Sequence, residues 1–260
     1  MTSEFTITTL HPRVLQIGNT AGDCCTLVLG DTHALLFDTM RGIGDLKAQV
    51  SSLTDLPLIV VNSHGHFDHM GGNVQFEKVY MDPKDFQIPV KTLDILAEIE
   101  RNVHQELCLA RESMCKSHQL LALEPGTVFD LGGVSAKVLA LPGHTAGSIG
   151  LYLPELRLVL AGDAVSPTMC LFYPDSVGLK TYQQTLNLLM EMDFDSFIQG
   201  HYKILFPKSM LDKFYACTLL PGTKRGLEYI NTQVPEYKGK LYMLELRNPE
   251  IDSMICLIDA

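Results

Sequence analysis

Six consecutive residues, His64-Gly65-His66-Phe67-Asp68-His69, place four side chains able to bind a cation at the end of a short apolar run, Leu58 to Asn62. A run of that length bounded by polar residues predicts a buried strand. Side chains two apart on an extended chain project to the same side. His64 and His66 can therefore face together, while Asp68 and His69 follow where the chain is predicted to turn into a helix near Met70 to Phe76. One loop thus offers imidazoles to one cation and an Asp/His pair to a neighbour. Neutral imidazole and carboxylate suit zinc, iron or manganese, and the absence of thiolates argues against a closed structural zinc site. Gly65 keeps the space between the two imidazoles free of a side chain.

Three further segments repeat one logic, each setting a His or Asp beside Gly just past an apolar strand: Leu141-Pro142-Gly143-His144, Leu160-Ala161-Gly162-Asp163 and Ile198-Gln199-Gly200-His201. Polar residues at strand ends converge on one edge of a sheet, where α/β sites are built. Singly, each reads as an ordinary turn residue; together with the first loop they complete a seven-ligand set. The surrounding pattern supplies the strands. Thr6 to Ile17, Cys25 to Leu29 and Ala34 to Phe37 form one series, followed by a helix at Ile43 to Leu53. Thr127 to Asp130, Ser135 to Leu141, Ser148 to Leu153 and Leu156 to Leu160 form a second, with a helix at Leu179 to Met192 and a short strand at Ser196 to Gln199. A helix near Lys208 to Cys217 and late strands at Lys240 to Leu246 and Met254 to Ile258 complete the reading. Two strand series, each shielded by helices, predict an α/β four-layer arrangement rather than a doubly wound parallel sheet.

The ordered set His-x-His-x-Asp-His, then His, Asp and His, resembles the metallo-β-lactamase-fold superfamily at every position from about Val14 to His201. Asp38, in Leu35-Leu36-Phe37-Asp38-Thr39, matches a family aspartate that supports the ligand loop. The resemblance implies an αββα sandwich, a single metallo-β-lactamase-like domain over residues 1–260, and two divalent metal ions, zinc foremost, with iron or manganese as alternatives. It implies that His64, His66 and His144 bind one ion, that Asp68, His69 and His201 bind the other, and that Asp163 bridges them. Asp68 is the expected catalytic residue, orienting a metal-bridging hydroxide, with Asp38, Thr145 and Ser148 behind the ligands. The pattern departs from several branches. True β-lactamases lack an aspartate like Asp163, flavodiiron oxidases carry Glu at the position of His66, and Ser166 stands where lactonases carry Tyr. What remains resembles stand-alone hydrolases such as the hydroxyacylglutathione hydrolases, acting on a small ester, thioester or lactone. A mononuclear iron oxygenase resembling persulfide dioxygenases and a non-catalytic metal-binding module are the competing readings.

The remaining features set limits. A formal net charge of -10 with no Lys/Arg run argues against a nucleic-acid partner and for a small-molecule substrate. There is no basic-then-apolar leader and no apolar run of about 18 residues, so neither secretion nor membrane insertion is expected. Seven cysteines without a Cys-x-x-Cys pair suit a reducing cytoplasm. Asp94 to Leu121, free of Gly and Pro, predicts a long inserted helix. On it His104, Cys108, Arg111, Cys115 and His118 form one stripe, about 21 Å long at 1.5 Å per residue and too extended for one ion. Arg111 is the candidate anchor for an acidic substrate. Phe172 and Tyr173 are candidate pocket walls, Tyr173 supplying a donor to the leaving group. His11 and His33, beside turns, are expected at the surface.

Overall fold

The computed structural model describes residues 5–88, 119–223, 225–230, 237–248 and 253–259. Its first sheet joins β1 (Thr6–His11), β2 (Val14–Gly18), β3 (Cys24–Leu29), β4 (Ala34–Phe37), β5 (Leu58–Val61), β6 (Lys78–Met81) and β7 (Gln119–Ala122) in chain order. The hairpins from β1 to β4 are antiparallel and the pairings from β4 to β7 are parallel. The second sheet holds β8 (Val128–Asp130), β9 (Ser135–Ala140), β10 (Ile149–Leu153), β11 (Leu158–Gly162), β13 (Ser196–Gln199) and β14 (Phe206–Pro207), ordered β14-β13-β11-β10-β9-β8. A third sheet, not foreseen as such, places β12 (Thr168–Leu171) beside β17 (Ser253–Asp259), then β16 (Lys238–Asn248) and β15 (Leu227–Ile230).

Strand periodicity explains the layers. Along β4, Leu35 and Phe37 enter the core between the first two sheets, while Ala34 and Leu36 face outward. On β11, Leu158 and Leu160 join that inner core, and Val159 and Ala161 point the other way. Both faces are covered, so these strands read as unbroken apolar runs. The outer face of the first sheet packs on α1 (Leu46–Ser51) through Leu46 and Val50. That of the second packs on α3 (Leu179–Glu191) and α4 (Met210–Thr218) through Tyr182, Leu186, Leu211 and Phe214. The result is the expected four-layer αββα sandwich, with the third sheet added against α4.

Three elements differ from the sequence expectation. The helix predicted from Ile43 starts only at Leu46, because Gly42 and Gly44 adopt positive φ and the Asp45 side chain caps the helix by accepting from Ala48 N–H. The turn after the His cluster begins earlier than predicted, with α2 at Phe67–Met70 running into a 3-10 stretch at Gly71–Gln75. The predicted inserted helix does not reach Leu121: Gln119 to Ala122 form β7, each residue paired with one of β6. The rest of that helix, with His104, Cys108, Arg111, Cys115 and His118, lies outside the described residues. Among the described residues, no helix is long and apolar enough to cross a membrane.

Candidate metal centre

The carboxyl ends of β4, β5, β9, β11 and β13 meet at one edge of the sandwich, the edge where open α/β sheets present functional groups. Two backbone hydrogen bonds lock the sheets together there, Ile149 N–H to the Ser63 carbonyl at 2.8 Å and Cys24 N–H to the Gly200 carbonyl at 2.9 Å. Asp38 follows β4, His64 to His69 follow β5, and His144, Asp163 and His201 follow β9, β11 and β13. All seven candidate ligands come together in three overlapping groups: His64, His66 and His144; His64, His69 and Asp163; and Asp68, His69 and His201.

The inward nitrogens are crowded. His66 Nδ1 lies 3.0 Å from both His64 Nε2 and His144 Nε2. Asp163 Oδ2 sits between the groups, 3.4 Å from His69 Nε2, 3.2 Å from His201 Nε2 and 4.0 Å from His144 Nε2. Asp68 Oδ2 is 3.9 Å from His69 Nε2 and 3.7 Å from His201 Nε2.

What each imidazole does with its other nitrogen decides the character of the site. His69 Nδ1–H donates to Asp38 Oδ2 at 2.9 Å and His66 Nε2–H to Asp175 Oδ2 at 2.7 Å. His144 Nδ1–H donates to the Cys170 carbonyl at 2.9 Å, and His201 Nδ1–H to the Gly22 carbonyl at 3.3 Å. The Ser63 hydroxyl donates to Asp38 Oδ2 at 2.8 Å, so its oxygen accepts from His64 Nδ1–H at 2.9 Å. An outward N–H fixes the tautomer and leaves the inward nitrogen a lone pair. Five lone pairs therefore converge, and lone pairs 3.0 Å apart do not bond one another; they ask for a cation. His69 Nε2 is fully buried and, among the described residues, has no hydrogen-bond partner, which a native fold tolerates only with a reason. The donor set fits divalent metal.

Electrostatics divide the cluster. Burial, reinforced by the other imidazoles, holds His64 well below the usual histidine range, and burial together with His66 brings His144 down to about 4. On the other side burial also opposes charge, but the carboxylates outweigh it. Asp163, Asp38 and Asp68 raise His69 well above the usual range, and Asp163 lifts His201 to about 9. Burial resists ionisation of Asp163 itself, yet His201 and His69 hold it far below the ordinary carboxylate range. A proton and a metal compete for these same lone pairs.

Asp38 is the supporting carboxylate expected from the sequence. It accepts Ser63 N–H at 2.7 Å through Oδ1, and its Oδ2 serves both Ser63 and His69. Its φ of 71° is left-handed, a conformation that costs a non-glycine residue about 1–3 kcal/mol and gathers at functional sites. Thr145 and Ser148 are close by, but their hydrogen bonds run to Asp85 and to each other: Thr145 Oγ1 donates to Asp85 Oδ2 at 2.6 Å and sits 2.7 Å from Ser148 Oγ. Asp85 also accepts Gly65 N–H at 3.0 Å and Gly147 N–H at 2.7 Å. This buried carboxylate, whose pKa burial raises, ties the His64 loop to the His144 loop. A Cβ on Gly65 would come within 2.8 Å of the Asp85 carbonyl, so the glycine permits that clamp.

Tyr173 packs its ring edge against His66 and His144, with centroids 5.1 and 5.8 Å apart, and Phe172 lies 4.4 Å behind it. Tyr229 and Tyr237, from the third sheet and its approach, extend this wall. Burial raises the Tyr173 pKa, so its hydroxyl keeps its proton. His11 and His33 lie far from the cluster in the chain and bond locally, His11 accepting Arg13 N–H. Asp85, Asp175, Ser63 and the Cys170 carbonyl escaped the sequence reading.

The sequence pattern of the metallo-beta-lactamase superfamily matches residues 24–85 and 115–207, more than half of the chain. The chain belongs to the metallo-beta-lactamase superfamily. Human acyl-coenzyme A thioesterase MBLAC2 is 27% identical over 202 residues, covering 70% of this chain and 72% of the relative. A hydroxyacylglutathione hydrolase of Synechococcus is 30% identical over 111 residues, 43% of this chain and 36% of that one. The metallo-beta-lactamase of Pontibacter korlensis shares the fold at a TM-score of 0.60 and 18% identity, over 82% of this chain and 98% of that one. The superfamily, its hydrolase relatives and the His/Asp cluster support a metal-dependent hydrolase. Strands β15 to β17 fall outside the matched residues.

Proposed function

We propose that the protein is a dinuclear hydrolase of a small thioester, ester or lactone, the thioester favoured by the thioesterase relatives. In this reading His64, His66 and His144 hold one cation and Asp68, His69 and His201 the other, with Asp163 Oδ2 between them. The observation that carries it is the convergence of five lone pairs, each fixed by an outward hydrogen bond, around a buried His69 Nε2 that has no hydrogen-bond partner among the described residues. Bound there, two zinc ions, or iron or manganese, would supply a water nucleophile at neutral pH and a Lewis acid for the substrate carbonyl.

The chain's own residues do the rest. Asp68, with one oxygen turned to His69 and His201, is placed to take the proton that water gives up. Asp38 and Asp175 keep the imidazoles in their ligating tautomers. Tyr173, whose hydroxyl stays protonated, offers a donor to the leaving thiolate or alkoxide. Phe172 and Tyr173 form an apolar wall for the acyl group, and Arg111 is the proposed anchor for an acidic carrier.

The test is reconstitution. Chelator-stripped protein reloaded with zinc should bind close to two equivalents and release free thiol from a short acyl thioester. A fully loaded protein that leaves thioester, ester and lactone substrates intact would overturn the assignment.

A further inference from the structure

Gln199 closes β13 immediately before Gly200 and His201 and is almost fully buried. Its side chain touches two candidate ligands at once. Gln199 Oε1 accepts His201 N–H at 2.7 Å, and Nε2 donates to Asp163 Oδ1 at 3.1 Å. These partners settle the amide orientation, since a backbone N–H meets only the oxygen and an ionised carboxylate only the NH2. Gln199 is itself anchored from the facing sheet, where buried Gln16 on β2 donates through Nε2 to the Gln199 carbonyl at 3.1 Å. With Oδ1 engaged by Gln199, the oxygen of Asp163 left facing His69 and His201 is Oδ2. Gly200 completes the arrangement, because a Cβ there would lie 2.7 Å from both Asp163 Oδ1 and His69 Cε1.

We propose that Gln199 is a positioning residue that selects which oxygen of Asp163 faces the cations and fixes the backbone of His201 with the same amide. It therefore bears more heavily on the half that holds His201, since Asp163 Oδ2 lies between the halves whereas His201 belongs to one. Among the described residues the Gln199 side chain bonds Asp163, His201 and Ser166, and not His64, His66 or His144. The inference rests on the two-cation reading above, and its signature is asymmetry. A group that merely stabilised the fold would weaken both cations together.

The experiment titrates cobalt(II) into the chelator-stripped full chain, followed by calorimetry and visible absorption. Wild type should take two equivalents. Gln199→Met, close to isosteric but without a donor or acceptor, should weaken one equivalent ten- to a hundred-fold, the effect expected of an outer hydrogen-bonding partner, and the other by clearly less. The absorption change should be larger for the weakened equivalent. Gln199→Asn, an amide one methylene short, should fall between the two, and it carries the test if the Met variant does not fold. Two unchanged affinities in the folded variants, or equal weakening of both, would overturn the proposal. A wild-type stoichiometry of one would instead remove the two-cation reading, and this inference with it.

Discussion

At the His64, His66 and His144 side of the cluster three imidazole nitrogens face one another, and burial suppresses protonation of His64 and His144. At the Asp68, His69 and His201 side, carboxylates alternate with imidazoles, and His69 and His201 are held toward the protonated form. One half holds two imidazoles kept neutral beside His66, which Asp175 raises against burial, whereas both imidazoles of the other half are held toward the protonated form. On the proposed two-cation reading the two halves thus differ in the cost of loading, and the difference comes from where Asp163 and Asp38 sit. It also predicts how each half fails.

The largest effect should follow from Asp163→Ala, which removes the oxygen lying 3.2 and 3.4 Å from His201 and His69. Hydrolysis should fall by at least about a hundred-fold, the upper end of what losing an outer partner produces, and metal analysis should find one equivalent instead of two. Asp38→Asn strikes both halves, since Asp38 serves His69 directly and His64 through Ser63. Its two affinities, read by chelator competition, should each drop about ten- to a hundred-fold; a loss confined to one equivalent would break the comparison.

Changing pH should sharpen it. A raised folded-state pKa means that the folded, metal-free protein keeps protons on His69 and His201 that the unfolded chain releases near 6.5, with His201 holding its own to about 9. Their contribution to metal-free stability is therefore complete below about 6.5; that of His201 is lost as pH rises through about 9, and that of His69 as pH rises well above the usual histidine range. His144, lowered to about 4, runs the other way, its contribution being present above 6.5 and lost as pH falls toward 4. The weaker metal equivalent should accordingly tighten about tenfold per pH unit for each proton displaced as pH rises from 6.5, while the tighter one, in which only His66 is raised, changes less. Calorimetry in buffers of different ionisation enthalpy counts those protons. The smallest effect belongs to Asp175→Asn, whose side chain bonds His66 among the candidate ligands; it should weaken the nitrogen-rich half about tenfold and spare the other.

The candidate ligands were legible because each follows an apolar strand beside a small residue, so local pattern alone placed them on one edge. Their supports were less so. Asp175 reaches His66 across 109 residues and Asp85 reaches Thr145 across 60, and in sequence both sit among turn residues with nothing to mark them. Thr145 and Ser148 were legible as neighbours of the site, but their bonds go to Asp85, which only the fold brings near. Helix propensity carried the predicted insertion too far, because Gln119 to Ala122 suit a helix locally and become a strand only through pairing with β6. The third sheet was half visible. Its late strands showed apolar patterning, while β12 gives no signal until β17 lies beside it.

That last pairing has a consequence for biosynthesis. Thr168 to Leu171 carry the carbonyl that sets the His144 tautomer, and they are braced by residues 253–259, made long after every candidate ligand has left the ribosome. A nascent chain therefore displays all seven candidate ligands before the strand that finishes their setting exists. The setting of the candidate centre thus depends on a strand made after all seven of these residues, through the connectivity of the third sheet.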